Sequence, residues 1–135
     1  MKTLIALTLV FLAGCKRECP ETVLYQAALS GANEVPPTTE DATGAASVEV
    51  FPDSTAVYSV IVDRINSLTG EHLHLAPAGV SGPVVLPLLN IPAPPFILPR
   101  DLLVHRVEFS KENFEGPLAG KSFSEFVRLL EAGHI

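Results

Sequence analysis

Tryptophan is absent from this chain, and cysteine occurs only twice, at positions 15 and 19. Two cysteines four residues apart form neither a disulfide framework nor a Cys-x-x-Cys or zinc-finger pair, so no such staple holds the fold. Basic residues are scarce as well. Nine Lys+Arg stand against 15 Asp+Glu, and the one basic cluster is Lys16-Arg17. Neutralising a phosphate backbone takes clustered lysine and arginine, so nucleic acid is not an expected partner. No hydrophobic run reaches the length of about 20 residues that crosses a bilayer. Hydrophobic residues make up 47% and charged ones 18%, which excludes a disordered acidic tail and allows a core. Twelve prolines and nine glycines demand many turns, and that suits strands better than a helical bundle. The 135 residues suffice for one ordinary domain.

The first residues read as an export leader. Lys2 supplies a short positive start, residues 4–12 are apolar, and the small pair Ala13-Gly14 follows. Leu12-Ala13-Gly14-Cys15 resembles the bacterial lipobox, in which the cysteine is lipidated and becomes the mature N-terminus. Residues 1–14 are then a signal peptide, Cys15 the lipid attachment site, and residues 15–22 a polar tether. The alternative is an ordinary secretory signal, with Cys15 and Cys19 paired in a disulfide or free. Either way the chain is extracytoplasmic: lipid-anchored in a bacterial cell envelope, or secreted. Lys16 stands where an aspartate signals inner-membrane retention, which favours an outer membrane where the host has one. Removing residues 1–14 takes Lys2 away, leaving eight basic against 15 acidic residues, or −7.

Beyond the tether the pattern is one of strands. Residues 23–29 form the first, and Ser30-Gly31-Ala32-Asn33-Glu34-Val35-Pro36-Pro37 is a loop closed by two chain-breakers. Residues 45–51 alternate, with Val48 and Val50 on one face. Pro52-Asp53-Ser54 is a tight turn, and residues 55–65 are a long strand rich in Val, Ile and Tyr. These two strands form a hairpin. Then comes Gly70-Glu71-His72-Leu73-His74-Leu75, in which period two sets His72 and His74 side by side, with Glu71, Leu73 and Leu75 opposite. Residues 84–89 read as a buried strand. Residues 91–100 hold four prolines and read as an edge or loop, either packed over the sheet or exposed as an apolar patch. Residues 102–109 alternate again, with Leu103, His105 and Val107 on one face. Ser122-Phe123-Ser124-Glu125 is a capping-box pattern opening a helix whose apolar face is Phe123, Phe126, Val127 and Leu130, and Gly133 ends it. The fold class is therefore mainly β: an antiparallel, Greek-key-like β-sandwich, immunoglobulin-like or superoxide-dismutase-like, with one short helix near the C-terminus.

Leu29-Ser30-Gly31-Ala32-Asn33-Glu34-Val35-Pro36-Pro37 resembles the opening signature of the CHRD domain, the module named after chordin. The resemblance continues through Ala42-Thr43-Gly44-Ala45-Ala46, Glu71-His72-Leu73-His74, Ala76-Pro77-Ala78-Gly79 and Gly82-Pro83-Val84-Val85, and covers residues 23–135. Two departures stand out. Residues 92–121 are longer and richer in proline than the family's usual connection. The family also continues past the helix with a histidine-bearing strand and a closing strand, so the resemblance implies a domain whose last strands are missing here.

Few residues carry recognisable chemistry. There is no Gly-x-Ser-x-Gly elbow, no phosphate-cradling glycine loop and no evident carboxylate pair, so an enzyme is not expected. His72 and His74 are the candidate metal ligands: two imidazoles on one strand face suit copper or zinc, although a catalytic zinc also wants a third ligand. His105 reads as a satisfied, partly buried histidine, and His134 as a complement to the helix dipole. Two functions follow. The first is a non-enzymatic binding or cell-envelope module without cofactor, held to the membrane by its lipid and meeting an unidentified protein or envelope partner. The alternative is a copper- or zinc-binding protein of superoxide-dismutase-like descent.

Overall fold

The computed structural model describes residues 21–92, 95–98 and 101–135. The leader, Cys15 and Cys19 lie outside the described residues. Eight strands and one α-helix follow in order: β1 (Val23–Ser30), β2 (Thr43–Val50), β3 (Thr55–Asp63), β4 (Ser67–Leu68), β5 (Gly70–His74), β6 (Val84–Asn90), β7 (Phe96–Ile97), β8 (Leu102–Ser110) and α1 (Phe123–Glu131). The fold is mainly β and antiparallel with one short helix, as a β-sandwich requires.

One layer is the sheet β1-β2-β3-β8, with β1 and β8 at its borders. Its register is unbroken, so whole rows of side chains cross all four strands, as in Ala28–Ala45–Ile61–Val104 on the outer face. The inner face carries Val48 and Val50 from β2, Ala56, Tyr58 and Val60 from β3, and Leu103 and Phe109 from β8, all buried. The alternation read in residues 45–51 and 102–109 therefore sets the faces as expected. The β2–β3 turn is held by Asp53, whose Oδ1 accepts from the Thr55 amide at 3.1 Å and the Thr55 hydroxyl at 2.6 Å.

The facing layer is the β5–β6 pair, which brings Val85, Leu86 and Leu88 to the core. Helix α1 closes one side. Phe126 is fully buried and meets Phe109 edge-on at 5.4 Å between ring centres and Phe114 at 5.2 Å. Ser122 caps the helix by accepting the Glu125 amide at 3.2 Å. The reciprocal half of the capping box is replaced: the Glu125 carboxylate binds Arg128 at 2.6 and 3.0 Å, because a charged partner one turn on outcompetes the cap amide. The apolar face is also turned slightly from the sequence expectation. Leu129 is buried, while Val127 and Leu130 are half-buried. Gly133 ends the helix in the left-handed region at φ +68°, with His134 N–H donating to the Leu129 carbonyl and Gly133 N–H to that of Leu130.

The proline-rich run divides between its two readings. Ile91 and Leu98 pack against the core, and the Leu98 N–H donates to the Asn66 carbonyl at 2.8 Å. Between them Phe96 and Ile97 pair with β4 and remain 51% and 65% exposed.

Phe126→Ala should cost about 3–5 kcal/mol of unfolding free energy, whereas Ile61→Ala on the outer face should change it by no more than about 0.5 kcal/mol. Urea denaturation monitored by circular dichroism measures both, and equal losses would contradict this assignment of faces.

Candidate functional site

Strand β5 distributes its side chains as period two requires. Glu71 is buried, Leu73 is half-buried against the core, and His72 and His74 are exposed together on the other face. The two imidazoles stand 6.1 Å apart between ring centres, nearly perpendicular. The ladder to β6 slips once just before this pair, between Glu71 and His72, and once within it, between Leu73 and His74. His74 Nδ1 lies 2.8 Å from the Gly82 carbonyl oxygen. A carbonyl only accepts, so Nδ1 carries a proton, and in the neutral ring Nε2 keeps its lone pair. Such an arrangement pre-orients an imidazole for a metal. No group of three or more His, Cys, Asp or Glu side chains suited to a metal occurs among the described residues. His72 and His74 therefore offer two protein ligands, and the structure does not bring His105 or His134 to them.

His105 is engaged elsewhere, as its position in an apolar alternation implied. Its Nδ1 is 2.6 Å from Glu71 Oε2, with the two side chains 24% and 7% exposed. The bond joins β5 to β8 across the two layers. Glu71 is the residue that sequence reading undervalued, since it registered only as the neighbour on the other face of the histidine strand. An inward-facing acid opposite an inward-facing histidine is a pairing signal, but only the topology shows that the two strands face each other. Glu71 Oε1 is buried and has no hydrogen-bond partner among the described residues. Burial, and after it the nearby Glu71 carboxylate, push the Tyr58 hydroxyl from 10.0 up to about 12.

A separate concavity lies at one end of the four-stranded sheet. The string Ser30 to Pro37 folds there into a 3-10 turn over Gly31–Asn33. The Gly31 carbonyl accepts from the Thr38 amide at 2.9 Å and the Glu34 amide at 3.3 Å. A Cβ at residue 31 would stand 2.6 Å from both the Glu40 carbonyl and Thr38 Oγ1, so only glycine lets the loop close this tightly. The closed loop forms one wall of a cleft of about 440 Å³, and Val62, Arg64, Ile65, Asn66 and Ser67 form the other. Arg64 sits in the left-handed region at φ +58°. Its Nε donates to the Asp41 carbonyl at 2.9 Å and its Nη2 to Thr43 Oγ1 at 3.1 Å. The cleft is at the far end of β1 from Val23, which pairs with Val50 beside the 51–55 turn. Phe96 and Ile97 are tied to this same end through β4.

A family model described as the CHRD domain matches residues 25–125, well over half of the chain. Comparison with curated proteins and with solved structures returns no match.

A phenol whose folded-state value exceeds its unfolded one adds stability that is complete below the unfolded value and is lost as pH rises through the folded one. Unfolding midpoints in urea should therefore fall between pH 10 and about 12, and Tyr58→Phe should flatten that fall. An unchanged slope in the variant would show that Tyr58 is not responsible.

Proposed function

Because the chain belongs to the CHRD domain family, whose members are typically extracellular or secreted, we propose that it is an exported, lipid-anchored binding module of the bacterial cell envelope and not an enzyme. The observation that carries this reading is the placement of the cleft. The family-signature loop builds a cleft of about 440 Å³ at one end of β1, while the leader precedes the opposite end, ahead of Val23. A strand of eight residues separates the two by about 25 Å at roughly 3.3 Å per residue. An anchor at Cys15 holds one end of the domain, and the loop end carrying Phe96 and Ile97 faces away from the anchored end. No described helix is long and apolar enough to cross a membrane. Several acyl chains on one cysteine suffice for stable attachment.

Two measurements test the reading. Cys15→Ser should move the protein from the membrane pellet to the soluble fraction, and retention in the pellet would refute the lipid anchor. A photo-crosslinking side chain placed at Asn66 in living cells should give a defined adduct that the same group at Asp53, on the opposite end, does not. Equal adducts, or none from Asn66, would refute the assignment of the binding end.

The second reading is a copper or zinc site, favoured by the exposed histidine pair and the free Nε2 of His74. Calorimetric titration with copper(II) and zinc should then show stoichiometric binding that disappears in the His72→Ala, His74→Ala double variant. Absence of binding at micromolar metal would dismiss it.

A further inference from the structure

Resting on the assignment of the 31–40 loop to the binding end, we propose that its cleft takes a primary ammonium group on an aliphatic stem. This chemistry is shared by a lysine side chain and a free polyamine. The floor of the cleft is apolar. Leu29, Val62 and Ile65 are half-buried there and lean on the core. Glu34 and Glu40 also line it, both as exposed residues, and neither takes part in an ion pair among the described residues. An apolar floor beneath uncompensated carboxylates complements a methylene stem with a charged head. The volume of about 440 Å³ falls within the range of small-ligand sites, about 300–1,000 Å³. A net charge of −6 also raises the local concentration of cations around the chain.

Other ligand classes fit less well. An anion would need the cation in the lining, Arg64, but that guanidinium already faces the Asp41 carboxylate at 3.6 Å and donates to the Asp41 carbonyl and the Thr43 hydroxyl. A pyranose presents an apolar face that stacks on an aromatic ring, and among the described residues no aromatic lines the cleft. A hard metal ion would want further carboxylates, and no group of three acidic or imidazole ligands occurs among the described residues.

Amide chemical shifts of the full chain in detergent micelles, titrated in turn with n-pentylamine, n-pentanol, Nα-acetyl-lysine amide and spermidine, test the proposal. The amine should move the amides of Gly31, Thr38, Arg64 and Ser67, with an affinity at least tenfold above that of the alcohol. The Glu34→Gln, Glu40→Gln double variant should lose that margin while its remaining amides keep their positions, and added salt should weaken the amine alone. Tighter binding of the lysine amide than of spermidine assigns the ligand to a peptide, and the reverse order assigns it to a free polyamine. Equal binding of amine and alcohol, or a margin that survives in the double variant, overturns the ammonium assignment while leaving the binding end in place. Absence of shifts at these amides with every probe also overturns it, and the binding-end assignment is then judged by the Asn66 crosslink alone.

Discussion

A strand bonded on both sides can send only every second residue to the core, and β3 is one of the two such strands in the four-stranded sheet. Ala56, Tyr58 and Val60 are buried at its inner face, while β2 and β8 align their own inner residues to it one for one. A slip of β3 by one position would turn its own inner set to the outer face and break both alignments. The β5–β6 layer and helix α1 have somewhere to pack only because this register holds. Even Val57, on the outer side of β3, is buried, between its register neighbours Glu49 and Glu108.

Into that apolar interface the chain places one acid. A buried carboxylate still costs several kcal/mol after its surroundings relax unless it is paired. Glu71 answers with His105 on the facing layer. A buried pair of this kind gives little net stability against an apolar substitute, and here it ties β5 to β8. Its second oxygen, left without a protein partner among the described residues, lies in the neighbourhood that keeps the Tyr58 proton in place.

The strands were legible because their periodicity is local. Residues 45–51 and 102–109 carry their faces in the order of their side chains, and the structure places those faces as read, while residues 55–65 were legible as a strand from their Val, Ile and Tyr content. The helix was legible from Ser122 and Gly133, whose cap and left-handed turn are short-range features. What depended on distance was not legible. Arg128 draws Glu125 away from the cap, and β4 captures two residues of a run whose four prolines argued against a ladder. The candidate site divides in the same way. Adjacent histidines on one strand can be seen from spacing alone. The Glu71–His105 bond joins residues 34 positions apart, and the cleft draws its two walls from separate parts of the chain. The signature string had a visible identity, but nothing in its order shows that it would enclose a volume.

The two borders of the four-stranded sheet differ in a way that bears on handling the molecule. Strand β8 displays Arg106 and Glu108, which discourage another backbone from docking alongside. Strand β1, Val-Leu-Tyr-Gln-Ala-Ala-Leu-Ser, has no acidic or basic side chain and no proline, and Val23 and Leu24 are exposed on it. Among the described residues nothing continues the ladder beyond it. Concentrated preparations will therefore self-associate first along this margin, and a lysine facing outward at Gln26 is the simplest way to keep them dispersed.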